Sequence, residues 1–138
     1  MKNSIKKKNN LGFVKLEDYK IFDYEIPEIF LDFVIDKNKV TVKTQLKLNR
    51  LNKGTTNLTL DGKDICIKKI YLDKSLLEKK NYLQQTDILI INNINKESFT
   101  LTIEGIIRPK DNISLLGMYE SNVIITTQCE AYGFRRIS

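Results

Sequence analysis

The sequence predicts an all-β protein of antiparallel strands, arranged as a sandwich or a barrel. Apolar and polar side chains alternate with a period of two along several short segments, as in strands that bury one face and expose the other. The joints between these segments are rich in Gly, Pro, Asn and Asp, which tight turns favour. At 138 residues the chain is long enough for one domain with its own core, and we find no internal repeat and no linker to a second domain.

The strands can be placed along the chain from this alternation. The clearest strand is predicted at residues 40–48, where the even positions are apolar or Thr and the odd positions are mostly polar. Residues 29–35 repeat the pattern with apolar side chains at every odd position, and the turn-forming residues 36–39 between the two predict a hairpin. Residues 75–82 have room for one turn of helix, although their apolar spacing is weak. Further strands are predicted at residues 58–60, 65–70, 87–91, 99–107 and 123–128.

The positive charge of the chain is concentrated at its N-terminus. The net charge is +6, and four lysines supply +4 of it within the first eight residues, where there is no acidic residue. The rest of the chain contains the other 19 of the 23 basic residues and all 17 acidic residues, so its charges nearly balance. We therefore expect residues 1–15 to form a flexible basic tail and residues 16–138 to form the folded domain. Nucleic-acid binding is disfavoured, because it requires a clustered basic patch on the folded part.

The cysteines and the apolar runs indicate the cellular compartment. Cys66 and Cys129 are expected to be free thiols, because the sequence has neither an export signal nor a Cys-x-x-Cys pair. No apolar run approaches the roughly 20 residues that a membrane-spanning helix needs. These features predict a cytoplasmic protein without a membrane partner. On an extended strand Cys129 would point away from its two neighbours and pack inward.

The most informative segment is at residues 127–135, which read Thr-Gln-Cys-Glu-Ala-Tyr-Gly-Phe-Arg. An extended strand would place Gln128 and Glu130 on the same face, because they are two residues apart. A carboxamide and a carboxylate together suit a small cation with several N–H donors, such as a free α-ammonium group. Mixed apolar and charged sequence continues to Ser138 without a closing turn, so we interpret residues 16–138 as a domain that is truncated at its C-terminal end.

Two sets of residues resemble the N-terminal domain of the aminopeptidase N family of zinc metallopeptidases. Residues 16–19, 23–26 and 29–33 are similar to the opening strand of that domain. Residues 117–121, which read Gly-Met-Tyr-Glu-Ser, and the segment 127–135 resemble the bacterial branch of the family. The resemblance extends over about residues 16–138; its specific motifs lie near the end, and the middle follows only the general pattern.

The resemblance implies a large enzyme in which a saddle-shaped antiparallel β-sandwich precedes a thermolysin-like catalytic domain. In that family the glutamate of the Gln-x-Glu-Ala segment anchors the free amino group of the peptide substrate, and the glutamine lines the specificity pocket. These roles fall on Glu130 and Gln128, with possible support from Ala131, Arg135 and Tyr119. The implied partners are the catalytic domain of the same polypeptide and the N-terminus of a peptide substrate.

The chain also departs from the family pattern. The zinc motif His-Glu-x-x-His and the Gly-x-Met-Glu-Asn motif are absent, and the chain contains no histidine. We therefore expect no metal site and no catalytic residue in this chain and no activity from it alone, while the resemblance implies zinc for the full-length enzyme. Tyr132 and Arg136 stand where bacterial relatives often carry other residues, which affects the subsite details rather than the anchor.

Two other function classes fit parts of the sequence. The first is a free-standing, non-catalytic β-sandwich that serves as an interaction module. The second is a basic β-barrel that binds nucleic acid, for which the net charge of +6 is the only support. No predicted strand interleaves aromatic and basic residues on one face, as single-stranded nucleic-acid binding would favour.

Overall fold

The computed structural model describes residue 17, residues 19–130 and residues 133–137, and within these it is built from antiparallel β-strands. Three short 3-10 turns, at Lys79–Asn81, Pro109–Asp111 and Phe134–Arg136, are the helical elements besides position 17. In the part of the chain that the structure describes, no helix is long and apolar enough to cross a membrane. The strands are β1 (Tyr24–Asp36), β2 (Lys39–Arg50), β3 (Leu58–Asp61), β4 (Cys66–Leu72), β5 (Ser75–Leu76), β6 (Tyr82–Gln84), β7 (Ile88–Ile91), β8 (Ser98–Ile107), β9 (Gly117–Ser121) and β10 (Ile124–Gln128).

The first layer is a five-stranded sheet in the order β1-β2-β8-β4-β5, with antiparallel pairing throughout. The strand β2 lies between β1 and β8, and its even-numbered residues from Val40 to Leu48 are buried. Its odd-numbered residues Lys43, Gln45 and Lys47 are exposed, as a strand with one solvated face requires. The alternation read from the sequence at residues 40–48 is therefore confirmed.

The second layer covers one face of this sheet with two separate pieces. A three-stranded sheet, β3-β7-β6, packs over one part of the face, and its Leu58, Leu89 and Ile91 form a core cluster with Leu46 and Leu48 of β2. The hairpin of β9 and β10 and the segment that follows it cover another part, where a second cluster holds Val40, Val42, Ile107, Met118 and Ile137. The architecture is the predicted antiparallel sandwich.

Most predicted elements are present, and several short ones were missed. The hairpin at residues 36–39 joins β1 to β2, and each predicted strand from residue 58 onwards has a counterpart. The segment at residues 75–82 contains β5, the 3-10 turn Lys79–Asn81 and the start of β6. The short strands β5, β6 and β9 were not predicted, because strands of two to five residues carry too little alternation to be recognised. The expected basic tail at residues 1–15 lies outside the described residues.

The strand β1 is less buried than its pattern predicted. Its odd-numbered side chains do face the core side of the sheet, since Ile29 pairs with Leu46 and Ile35 with Val40. However, Ile29 is 46% exposed and Ile35 is 60% exposed. β1 is the edge strand of the first layer, and neither piece of the second layer covers it fully. Alternation reports which face a side chain occupies, but not whether another layer covers that face.

Candidate functional site

The candidate site lies at the open end of the β9–β10 hairpin. The two strands pair from Ser121 and Ile124 at the turn to Gly117 and Gln128 at the other end. Gln128 is the last residue of β10, and the chain leaves the sheet directly after it. The segment that carries the predicted anchor therefore begins where regular pairing stops.

The expected common face of Gln128 and Glu130 is wrong, because the strand does not continue to Glu130. Glu130 lies in a turn, and its backbone N–H donates a hydrogen bond to Oε1 of Gln128 at 2.9 Å. The amide of Gln128, which is half-buried, thus accepts the hydrogen bond of a backbone N–H that lies beyond the end of the strand pairing. Cys129 was expected to pack inward and is instead exposed, since the strand alternation ends one residue before it; both Cys66 and Cys129 are free thiols, as predicted.

Glycine at position 133 allows the chain to fold back onto the end of β10. A Cβ atom added at Gly133 would lie 2.1 Å from the carbonyl oxygen of Gln128 and 2.9 Å from Cα of Cys129. The N–H of Gly133 donates to the carbonyl of Glu130 at 3.3 Å, which closes the turn. Neither Ala131 nor Tyr132 is among the described residues, so the expected supporting role of Ala131 stays a prediction.

Residues 133–137, which follow the turn, are held against the rest of the sandwich by a hydrogen bond and an ion pair. The N–H of Lys63 donates to the carbonyl of Arg135 at 2.8 Å, and the guanidinium of Arg136 forms an ion pair with Asp64. Gly117, with a φ of +80°, lies against this segment, since a Cβ there would be 2.5 Å from Cβ of Arg136. The Glu130 turn is therefore supported by residues 63–64, by the start of β9 and by its own glycine.

The carboxylate of Glu130 is available to a ligand. Glu130 is exposed, and within the described residues its carboxylate accepts no hydrogen bond and forms no ion pair. Its backbone is nevertheless held by Gln128 on one side and by Gly133 on the other. The Glu130 carboxylate can therefore bind a cation without first breaking another interaction, and the turn that carries it is held in place.

The other two predicted residues lie in different surroundings. Tyr119 sits on β9 opposite Thr126, two residue pairs away from the Gln128 end, and is half-buried. Arg135 is half-buried in the 3-10 turn and lines a cavity between the layers of the sandwich. The structure thus brings together Gln128, Glu130 and Gly133, whereas Arg135 contributes to the wall of that cavity.

The glycines that shape this turn were not among the predicted site residues. Gly117 and Gly133 both lie within the motifs that were compared with the family, and both are positions where a side chain would collide with the backbone or with Arg136. Two glycines at the borders of a candidate binding loop are a signal of close chain approach.

In the described part of the chain, no three His, Cys, Asp or Glu side chains are grouped so that they could hold a metal ion.

No family model matches the sequence, but curated relatives do. The chain is 35% identical over 124 residues to aminopeptidase N of Haemophilus influenzae and 33% identical over 121 residues to aminopeptidase N of Escherichia coli. Each match covers 88% of this chain and 14% of the relative, so the chain spans about one seventh of the length of these proteins.

A solved structure of similar fold gives the same result. The aminopeptidase A of Legionella pneumophila, crystallised in complex with aspartic acid, is 28% identical and superposes with a TM-score of 0.79. The match covers 89% of this chain and 15% of that one. Fold and sequence together define a β-sandwich of the type found as the N-terminal domain of the M1 aminopeptidases. The chain is a homologue of one part of the aminopeptidase N family, which confirms the resemblance.

Proposed function

We propose that this chain is the substrate-anchoring, non-catalytic domain of a zinc-dependent aminopeptidase that releases N-terminal amino acids from peptides. The carboxylate of Glu130 binds the α-ammonium group of the substrate, and Gln128 forms part of the adjoining wall. The observation that supports this role best is the exposed carboxylate of Glu130 on a turn that Gln128 and Gly133 hold in place.

An anchor of this kind accounts for the selectivity of an aminopeptidase. The enzyme must set a fixed distance between the terminal amine of the peptide and the bond to be cleaved. A carboxylate paired with –NH₃⁺ in a partly dry cleft does so, and it discriminates against peptides with a blocked N-terminus, which lack the charge. The hydrogen bond from Glu130 N–H to Gln128 contributes by limiting how far the carboxylate can move.

The chemistry in this proposal is divided between two parts of one polypeptide. Zinc, when bound by the catalytic domain, supplies a Lewis acid and an activated water molecule. In this proposal the described residues of this chain bind and orient the substrate. They contain no group of side chains that could bind the metal. The two exposed free thiols, Cys66 and Cys129, are in keeping with a reducing cytoplasmic setting, which is part of the proposal.

The test is the Glu130→Gln substitution in the full-length enzyme, with Glu120→Gln as its matched control. Glu120 lies on β9 of the same hairpin and has no part in the proposed anchor. Loss of one partner of a buried charge pair costs about 2–5 kcal/mol, which corresponds to a fall in kcat/KM of about 30-fold to several thousand-fold. We expect KM for free-amine peptides to rise in the Glu130 variant while both variants unfold at the wild-type temperature. Normal kcat/KM in the Glu130 variant would exclude the anchor role.

A further inference from the structure

A series of three hydrogen bonds connects the candidate anchor to Arg136. The N–H of Arg136 donates to the carbonyl of Gly133 at 3.1 Å, and the N–H of Gly133 donates to the carbonyl of Glu130 at 3.3 Å. The N–H of Glu130 in turn donates to Oε1 of Gln128 at 2.9 Å. A shift of the backbone at Arg136 therefore either displaces Glu130 or breaks one of these bonds.

The side chain of Arg136 is held by Asp64. Its guanidinium donates to the Asp64 carboxylate in an ion pair, and it is largely buried, with 12% of the side chain exposed. Gly117 provides room for this side chain, since a Cβ atom at that position would lie 2.5 Å from Cβ of Arg136. A charged hydrogen bond is stronger where the surroundings are shielded from water. The ion pair therefore fixes the Arg136 end of the hydrogen-bond series.

Asp64 belongs to the loop between β3 and β4, which is held on both sides. The N–H of Gly62 donates to the carbonyl of Asp87 at 2.9 Å, and the N–H of Lys63 donates to the carbonyl of Arg135 at 2.8 Å. The φ of Asp64 is +59°, a left-handed conformation that Asp and Asn tolerate better than most residues. Such conformations persist where the surrounding contacts determine the backbone, and they are concentrated at functional sites. The loop thus presents the Asp64 carboxylate to Arg136 in a fixed position.

We infer that Asp64 and Arg136 are positioning residues for the aminopeptidase reaction, and that their ion pair sets where the Glu130 carboxylate meets the α-ammonium group of the substrate. The inference rests on the proposed anchor role of Glu130 and adds the part of the fold that holds the anchor. Neither side chain is expected to touch the substrate. Both act through Gly133 and the hydrogen-bond series that includes Glu130.

A role of the ion pair in stability alone would give a different result. The Asp64 side chain is 62% exposed, and ion pairs with an exposed partner contribute little to the free energy of unfolding. Catalytic rates are much more sensitive to position, since a displacement of about 1 Å can lower the rate by about 100-fold. Loss of the ion pair should therefore change the kinetics of peptide cleavage more than the unfolding temperature.

The test is Asp64→Asn in the full-length enzyme, which removes the charge and keeps a side chain suited to positive φ. The matched control is Asp111→Asn. Asp111 lines the same polar cavity as Asp64 and Arg136, is exposed, and forms no ion pair in the described part of the chain. We expect kcat/KM for a free-amine peptide to fall by about tenfold in the Asp64 variant, mainly through KM, and to change by less than about twofold in the control. An unchanged kcat/KM in the Asp64 variant would overturn the inference.

The route through Glu130 is tested by combining substitutions. In the Glu130→Gln background the anchor charge is already lost, so Asp64→Asn should change kcat/KM by less than about twofold. An equal loss in both backgrounds would mean that Asp64 acts independently of Glu130, and it would overturn the inference. Asp64→Asn and Arg136→Gln together should cost no more than either alone, because both remove the same ion pair. Losses that add would likewise overturn it.

The result for this ion pair can be separated from the result for the anchor. The Glu130→Gln single variant alone decides whether Glu130 binds the substrate amine. If that variant loses activity while Asp64→Asn does not, the anchor stands and the positioning role fails. If the Glu130 variant retains normal kcat/KM, the proposed function fails, and the positioning role fails with it.

Discussion

At the scale of single residues, Gly133 decides whether the Glu130 turn can form. Its φ of −65° is open to any amino acid, so the need for glycine is one of space rather than of backbone conformation. The carbonyl of Gln128 occupies the position that a side chain at residue 133 would require, at 2.1 Å from the added Cβ. The contact is with backbone, which cannot rotate away as a side chain can.

We expect Gly133→Ala to destabilise the protein by about 1–3 kcal/mol, the usual cost of forcing an extra methyl group into a packed site. In the full-length enzyme it should also lower kcat/KM, because the turn that carries Glu130 must move. The control is Gly62→Ala, since nothing lies within 4 Å of a Cβ added at Gly62. Urea unfolding of both variants measures the difference in stability. Equal stability would show that Gly133 is not packed against Gln128 as described.

Gln128 has a structural role at the end of β10. Its Oε1 accepts the N–H of Glu130, so one lone pair is already occupied before any ligand arrives. From the sequence, Gln128 and Glu130 were expected to be two ligand groups on one strand face. In the structure the amide oxygen instead holds the turn in place through its hydrogen bond to the Glu130 N–H.

At the scale of elements, the β9–β10 hairpin carries strain at its turn. Asn122 and Val123 form a two-residue turn, with φ values of +47° and +64°. Hairpin turns of this type favour Asn followed by Gly, because both central residues have positive φ. Asn tolerates this conformation, whereas a β-branched residue does not. Val123 is also 89% exposed, so no burial within the described chain offsets the strain.

We expect Val123→Gly to raise the free energy of unfolding by about 1 kcal/mol, because glycine removes the strain of a β-branched side chain at positive φ. Asn122→Gly serves as the control at the adjacent position, where the gain should be close to zero. Chemical unfolding of the 138-residue chain compares the two directly. A Val123 variant that is no more stable than the wild type would contradict the strained turn.

The turn between β4 and β5 is tied to β8 through Asp73. The N–H of Asp73 donates to the carbonyl of Thr100 at 2.7 Å, and Oδ1 of Asp73 accepts the N–H of Thr100 at 2.9 Å. The ammonium group of Lys96 pairs with the other carboxylate oxygen. The hydrogen bond from Lys96, followed by that from Thr100, lowers the pKa of Asp73 below its usual value of 3.8. The ionised form of Asp73 is therefore favoured in the folded protein.

We expect Asp73→Asn to lower the free energy of unfolding by on the order of 1 kcal/mol at pH 7, a figure reduced for solvent screening because the side chain is 38% exposed. A carboxyl group with a depressed pKa stabilises the fold above its unfolded pKa and loses that contribution as the pH falls through the folded pKa. The difference from the wild type should therefore shrink below about pH 4.

The control for this pH dependence is Asp36→Asn, which removes an exposed carboxylate 3.9 Å from Lys39. We expect it to change the stability little at any pH, because exposed ion pairs contribute little. Urea unfolding at pH 7, 5 and 3 separates the two variants. An Asp73 effect that stayed constant down to pH 3 would show that its charge is not the cause.

At the scale of the whole molecule, the split second layer governs what the chain buries and what it exposes. The cluster around Leu46 and Leu48 and the cluster around Val40 and Val42 lie on the same face of β2, beneath different pieces of that layer. Between and beside these pieces the structure leaves a cavity and the exposed core-side residues Ile29 and Ile35 of β1. The cavity and the Glu130 turn lie at different places in this layer, since Glu130 does not line the cavity.

Local chemistry was enough to predict much of this protein. The alternation at residues 40–48 and the turn residues 36–39 fix β2 and its hairpin with β1, because pleating and turn geometry act over a few neighbouring residues. The motif at residues 127–135 could also be recognised from the sequence, because its residue types carry the resemblance to the aminopeptidase N family.

Only the tertiary structure decided the rest. Whether Ile29 and Ile35 are covered depends on how far a second layer extends, and that layer is built from residues distant in sequence. Whether Glu130 continues a strand depends on Gly133 bringing the chain back onto Gln128. Alternation assigns a side chain to a face, but burial and turns of this kind arise from contacts between segments that local patterns do not specify.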